Sequence, residues 1–398
     1  MSVKIKDKVL IGLKKYNKIT PEGIRDFIFE ECTAREDVAG KLTRLFDSRG
    51  YSPVTTPGLE FMDVFSSFPA EAMYKLSDPN GRLMVLRADT TMPLARVAAT
   101  RLKDYPVPLR ICYKQNVYTV NQEMSGRSDE VFQAGVELIG ANSKRADLEV
   151  LLLAIEGLKR CDAPDFKVEI GHAGFFKAIA EPFNLSDDVM EEIRLFIELK
   201  NYAMLNDYLV SLDNKDALIL NKLPRLFGAG ETFEAAKEMC KSDKSFEILD
   251  YLSEIYNDLC AVGLKEKIIV DMGLVQHNDY YSGLIFKGFV SGSGETAMSG
   301  GRYDNLLSQF GIERKATGFA INVDILAKSN ALIKEKRRSP DIIVFGEKGC
   351  EAKAIEYANS LTSDGKICET ALCETEEEAR EYAKSRGITE VAVIGEGF

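Results

Sequence analysis

The sequence predicts an α+β fold, in which a sheet-forming region, a helical stretch and a small α/β segment follow one another. Two strand-like runs, residues 108–120 and 130–140, flank the polar loop 121–129, which is the pattern of an antiparallel hairpin. Residues 186–265 instead carry apolar side chains at helical spacing and show few strand signals. From Pro340 onward, buried-strand and helix patterns alternate as βαβαβ.

These patterns divide the chain into parts. We expect a core domain over residues 1–330, with a helical insertion over about 185–265. A linker rich in lysine and arginine should follow at 331–339, and a small α/β domain should occupy residues 340–398. A length of 398 residues is sufficient for two or three domains, each with its own core.

Capping signals place several helices. Thr33 and Glu36 have the spacing of a capping box, so a helix should begin there and end near Gly50. Residues 84–100 predict a strand, a polar turn and a helix, and another helix is expected after Gly318.

The C-terminal region carries a second capping box. It is formed by Thr375 and Glu378, and Gly387 should end that helix.

Composition narrows the functional classes. Hydrophobic residues make up 45% and charged residues 28% of the chain, as in ordinary globular proteins. No run reaches the roughly 18 apolar residues of a membrane span, and the N-terminus lacks a signal-peptide pattern, so we expect a cytoplasmic protein. The eight cysteines include no CxxC pair, which argues against a zinc site or a disulfide framework. The net charge of −11 disfavours a large tRNA-binding face.

Four segments, taken in order, resemble segments of histidyl-tRNA synthetases. They are LRADTTMPLAR, NVYTVNQEMSGRSDEVFQAGVELIG, LVQHNDYYSGLIF and SGGRYDNLLSQFG, and the last is soon followed by ATGFAINVDIL. The similarity runs over about residues 20–330, with the helical insertion in the expected place. It implies a class II aminoacyl-tRNA synthetase-like core, which is an antiparallel sheet flanked by helices.

The departures from this family lie on the side that would bind ATP. Three arginines of the synthetases correspond here to Thr119, Gln276 and Ile325, none of which carries a charge or forms a bidentate contact with phosphate. Each such donor typically contributes about 3–4 kcal/mol of transition-state stabilisation, so three losses amount to roughly 8–12 kcal/mol. The resemblance therefore implies no catalytic residues for amino-acid activation, and neither a cofactor nor a metal.

The amino-acid side is better preserved. By resemblance, Asp89 and Thr91 would hold an α-amino group with Gln133 beside them, while Glu137 and Tyr281 would contact an imidazole ring. Asp89 stands where the synthetases usually have glutamate. With Arg127, which survives from the ATP side, and the neighbouring Tyr280, the expected histidine-binding set is Asp89, Thr91, Arg127, Gln133, Glu137, Tyr280 and Tyr281.

Simpler interpretations of these residues remain open. Asp89 and Glu137 could form surface ion pairs, Tyr281 could be a core aromatic residue, and Gln133 could lie at a strand edge. Arg302 could have a structural role or face the position of the lost nucleotide.

A synthetase-like core without its ATP-binding arginines resembles the regulatory subunits of ATP phosphoribosyltransferase. That resemblance implies a non-catalytic protein that works with a short catalytic subunit in the first step of histidine biosynthesis and binds L-histidine for feedback regulation. It also implies a homodimer, formed around residues 46–59, within a hetero-oligomer. Since the C-terminal segment covers only the start of an anticodon-binding domain, we expect no tRNA partner. The alternatives are a divergent histidyl-tRNA synthetase and a synthetase-like sensor or enzyme of unrelated metabolism.

Overall fold

The computed structural model describes residues 16–121, 126–275, 281–329 and 339–397. The chain divides into two compact units, residues 1–333 and 334–398. Apart from Ser339, the predicted linker lies outside the described residues. No helix in the described ranges is long and apolar enough to cross a membrane.

Both units contain helices and strands. The α-helices of the described residues are α1 (Glu30–Ser48), α2 (Thr91–Ala99), α3 (Lys144–Arg160), α4 (Phe175–Ala180), α5 (Asp187–Glu198), α6 (Tyr202–Ser211), α7 (Thr232–Lys237), α8 (Asp243–Ala261), α9 (Val323–Ser329), α10 (Glu351–Ser363) and α11 (Glu376–Arg386). The strands are β1 (Ser52–Pro53), β2 (Leu59–Phe61), β3 (Lys75–Ser77), β4 (Leu83–Leu86), β5 (Leu109–Tyr118), β6 (Glu130–Ile139), β7 (Lys167–His172), β8 (Phe227–Gly228), β9 (Ile268–Asp271), β10 (Leu284–Phe289), β11 (Met298–Arg302), β12 (Ala316–Asn322), β13 (Ile342–Gly346), β14 (Cys368–Thr370) and β15 (Glu390–Ile394).

A nine-stranded sheet forms the centre of the larger unit. Its strand order is β1-β5-β6-β12-β11-β10-β7-β9-β8, and neighbours run antiparallel except in the pairs β1–β5 and β7–β9. β5 and β6 pair along their full length, which confirms the predicted hairpin. Helices α1 and α3 pack against this sheet and bury apolar side chains such as Leu42 and Ile155. The predicted α+β class is confirmed.

A second, three-stranded antiparallel sheet in the order β2-β4-β3 precedes helix α2. Arg87 follows β4 and fixes the turn that leads into α2. Its Nη1 donates to the carbonyl oxygens of Thr56 (2.8 Å) and Pro57 (2.9 Å), and its Nε donates to that of Asn116 (3.0 Å). These bonds satisfy most of a buried guanidinium and attach the turn to β5.

The segment between β7 and β9 is mainly helical. It contains α4 to α8 and a 3₁₀ helix at Lys215–Arg225, and the short strand β8 pairs with β9. Ser186 caps α5 by accepting from the Val189 amide at 3.4 Å.

The smaller unit is a three-stranded parallel sheet in the order β14-β13-β15, with α10 and α11 as the crossover helices. This confirms the βαβαβ pattern. The predicted capping box of Thr375 and Glu378 is present, and Gly387 ends α11 with a φ of 69°.

One local prediction was wrong, and one gave a helix without its correct start. Helix α1 begins at Glu30, so Thr33 lies inside it and its Oγ1 donates to the Phe29 carbonyl oxygen instead of capping. The helix expected after Gly318 is present, but Gly318 itself lies within β12 and the helix begins at Val323. A glycine can mark a strand position that must be small, so it does not fix where the next helix begins.

Candidate functional site

Five of the seven predicted site residues surround one cavity of about 330 Å³. These five, which define what we call the acidic pocket, are Asp89, Thr91, Gln133, Glu137 and Tyr281. Arg127 instead lines two neighbouring cavities, of about 490 and 420 Å³. Tyr280 lies outside the described residues, as do Gln276 and His277.

Strand β6 supplies one wall of the acidic pocket. Gln133 and Glu137 are four residues apart on β6, so both side chains point to the same face of the sheet. Gly318 of β12 lies directly opposite Glu137. A Cβ atom at Gly318 would lie only 1.8 Å from Glu137 Oε2 and 2.6 Å from the Val136 carbonyl oxygen. Position 318 must therefore be glycine for the Glu137 carboxyl to occupy this place.

Two hydroxyl groups hold the Glu137 carboxyl. Thr91 Oγ1 donates to Oε1 at 2.8 Å, and the Tyr303 hydroxyl donates to Oε2. Glu137 is 1% exposed, and burial raises its pKa to about 8 even though both hydrogen bonds lower it. Nearby Asp89 raises the pKa further. Glu137 is thus mainly protonated near neutrality until a hydrogen-bond donor or a cation enters the pocket.

Tyr303 is a pocket residue that the sequence alone did not identify. It directly follows β11, is 2% exposed and lines the same cavity as Glu137. The sequence signal was available, because Tyr303 belongs to the segment SGGRYDNLLSQFG that carries part of the resemblance.

Asp89 lies at the start of helix α2. Its Oδ1 accepts from the Met92 amide at 2.9 Å. Burial raises the pKa of Asp89, while hydrogen bonds from the backbone amides of residues 90–92 oppose that rise. Since Asp89 and Glu137 are acidic groups on one cavity, the pocket favours a ligand with a cationic or N–H-rich group.

Lys287 and Glu198 also line the acidic pocket. Lys287 is on β10, and Glu198 ends helix α5 in the helical segment. Together with Thr296, both also line the neighbouring cavity of about 490 Å³. The acidic pocket therefore borders a second, charged compartment.

Thr119 and Ile325, which by resemblance replace two ATP-binding arginines, are both uncharged and in contact with their surroundings. Thr119 follows β5, its amide donates to the Asp129 carbonyl oxygen at 2.8 Å, and its Oγ1 donates to that of Ala88 at 3.5 Å. Ile325 is buried in α9 and lines the cavity of about 420 Å³. Neither side chain can stabilise a developing phosphate charge.

Asp324, the residue before Ile325, forms an ion pair with Arg35. Arg35 Nε contacts Asp324 Oδ1 at 2.5 Å, and its guanidinium lies 3.8 Å from the Phe27 ring centre and 5.1 Å from that of Phe132. The positive charge is thereby satisfied within the chain.

Arg302 has a structural role. Its Nη2 lies 2.8 Å from Asp147 Oδ1, and its Nη1 lies 3.1 Å from Asp304 Oδ1. Tyr251 donates to the other Asp147 oxygen at 2.5 Å. Arg302 and Asp147 are both buried, so this network connects β11 with α3 and α8 and does not face the ATP side.

Within the described residues, no three histidine, cysteine, aspartate or glutamate side chains are grouped so that they could hold a metal ion.

The fold is that of the histidyl-tRNA synthetase class, since the family model described as histidyl-tRNA synthetase matches residues 23–326. A solved structure described as a histidyl-tRNA synthetase from Nostoc shares the fold, with a TM-score of 0.75 at 18% identity and coverage of 96% of this chain and 92% of that one.

Other proteins that are more similar to this chain have a more specific name. "ATP phosphoribosyltransferase regulatory subunit" proteins of Clostridium kluyveri and Clostridium acetobutylicum are 40% and 38% identical to this chain. The matches cover 94% and 96% of this chain and 99% and 96% of the relatives. A structure described as an ATP phosphoribosyltransferase regulatory subunit/histidyl-tRNA synthetase from Bacillus halodurans has a TM-score of 0.84 at 30% identity, covering 96% of this chain and 99% of that one. The chain belongs to the family of ATP phosphoribosyltransferase regulatory subunits.

Proposed function

We propose that this chain is a non-catalytic regulatory subunit that activates a short ATP phosphoribosyltransferase catalytic subunit in the first step of histidine biosynthesis. It binds L-histidine in the acidic pocket and conveys feedback inhibition. The observation that carries the proposal is the contrast between the two sides of the site. The acidic pocket keeps Asp89, Thr91, Gln133, Glu137 and Tyr281 around one cavity. By resemblance, three ATP-binding arginines of the synthetases are replaced by uncharged residues in this chain.

The chemistry of the acidic pocket supports histidine as the ligand. An α-ammonium group matches the Asp89 carboxylate, and an imidazole ring matches Glu137 and Tyr281, which can donate or accept hydrogen bonds. A cavity of about 330 Å³ is at the small end of ligand sites, as suits a single amino acid. Histidine would transmit inhibition only if it bound two states of the assembly with different affinity.

The substitutions Thr119, Gln276 and Ile325 support the non-catalytic part of the proposal. Because uncharged side chains stand where the three arginines would be, Arg127 would have to stabilise the ATP phosphates without those arginines. That stabilisation is insufficient for amino-acid activation. The proposed assembly is a homodimer within a hetero-oligomer with the catalytic subunit, without tRNA.

Two assays on the purified chain test the proposal. Calorimetric titration should give a saturable heat with L-histidine, and an unchanged signal at millimolar histidine would refute the pocket assignment. Histidine-dependent exchange of pyrophosphate into ATP should be absent. A clear exchange rate would instead favour the alternative, a divergent histidyl-tRNA synthetase, because exchange requires the ATP chemistry that the substitutions remove.

A further inference from the structure

We infer that Lys287 binds the carboxylate of the amino acid in the acidic pocket. This inference rests on the proposed function, because it names the group that would hold one end of the proposed ligand. An amino acid carries a carboxylate as well as an ammonium group, so its site needs a cation or N–H donors at one end and an acid at the other.

Charge distribution identifies Lys287 as the candidate. The charged side chains that line the acidic pocket are Asp89, Glu137, Glu198 and Lys287, so Lys287 is the only cation among the described lining residues. By resemblance, the synthetases have an arginine near the ligand carboxylate where this chain has the uncharged Gln276, which lies outside the described residues. Lys287 can supply the positive charge that such an arginine would carry.

The position of Lys287 fits this role. It lies in the middle of β10, opposite Glu169 of β7 and Ser299 of β11, and its side chain is half-buried at the border of two cavities. Among the described residues, its ammonium group forms no hydrogen bond and has no carboxylate oxygen within 4.0 Å. A half-buried ammonium without a close partner has lost part of its hydration, and a ligand carboxylate would supply the missing contact.

Acidic groups face Lys287 from the neighbouring cavity. Glu169, Asp271 and Glu198 all attract its charge, and Lys200 repels it. Burial raises the pKa of Glu169 and Asp271, and Asp271 Oδ1 already accepts from the Gly273 amide at 2.9 Å. A purely structural Lys287 would neutralise these acids whether or not the ligand has a carboxylate.

The test compares two ligands on the full chain. L-histidinol carries a hydroxymethyl group where L-histidine has the carboxylate, and it keeps the amine and the ring. Replacement of Lys287 by methionine (Lys287→Met) should weaken histidine binding about 10- to 100-fold, as expected for the loss of a charged hydrogen bond, and leave histidinol binding nearly unchanged. The preference of the parent protein for histidine over histidinol should therefore disappear.

Control variants separate ligand contact from structural effects. Lys287→Arg keeps the charge and should retain most of the preference, and Lys287→Gln replaces the methionine variant if that fails to fold. Lys200→Met removes a cation that lines only the neighbouring cavity, and it should leave both affinities unchanged. An equal loss for both ligands in folded Lys287 variants would overturn the assignment. If the parent binds neither ligand, the proposed function itself fails, and the assignment fails with it.

Discussion

The buried carboxyl of Glu137 should make the protein less stable as the pH rises. Its pKa is about 8 in the folded protein, against an ordinary 4.5. Between these values the folded chain retains a proton that the unfolded chain has lost, so the free energy of unfolding falls with rising pH. The whole shift corresponds to roughly 5 kcal/mol, lost progressively between about pH 4.5 and pH 8.

Glu137→Gln removes this titration and keeps the shape of the side chain. Its amide oxygen can accept from one of the hydroxyls of Thr91 and Tyr303, and its NH₂ group can donate to the other. We expect the variant to match the parent near pH 4.5 and to exceed it by several kcal/mol at pH 8.5. Urea unfolding curves at pH 5, 7 and 8.5 measure the difference.

A second variant should shift the effect in the opposite direction. Tyr303→Phe removes a hydroxyl that lowers the pKa of Glu137, so the loss of stability should extend to higher pH. A difference between Glu137→Gln and the parent that stays constant with pH, or that shrinks as pH rises, would refute the buried-acid interpretation.

Two further predictions concern the framework of the site, and urea unfolding tests both. Gly318→Ala should destabilise the protein by about 3 kcal/mol or more, because a Cβ atom there would clash with Glu137 Oε2. The control variant Gly58→Ala should change stability by less than about 0.5 kcal/mol, because no atom lies within 4 Å of the added Cβ position. Equal effects would contradict the close packing. Arg302→Met should cost about 3–5 kcal/mol by leaving buried Asp147 unpaired, and adding Asp147→Asn should recover part of that loss. No recovery would mean that the ion pair is not the main contribution.

Much of the fold could be predicted from local sequence patterns. The β5–β6 hairpin and the parallel sheet of the smaller unit follow from runs of strand-forming residues and from turn signals, and the capping box at Thr375 has the expected spacing. The same capping pattern failed at Thr33, where the helix begins three residues earlier. Tertiary packing of α1 can stabilise helical residues before Thr33, which the local capping pattern does not indicate.

The site was harder to predict because it is assembled from distant segments. Asp89 and Glu137 could be assigned by resemblance, since each lies within a recognisable segment. Lys287 lies in the apolar-looking run YYSGLIFKGFV, and nothing in that run indicates that its ammonium would border the cavity of those two acids. Strand order within the sheet brings them together, and a single sequence does not specify that order.

We propose that this chain regulates a catalytic partner and has no activation chemistry of its own. The most direct measurement is the rate of a short ATP phosphoribosyltransferase catalytic subunit, assayed alone, with this chain, and with this chain plus L-histidine. We predict little activity alone, strong stimulation by this chain, and inhibition of the complex by histidine that is weakened in Glu137→Gln. A catalytic rate that this chain leaves unchanged would contradict its proposed role as an activating subunit.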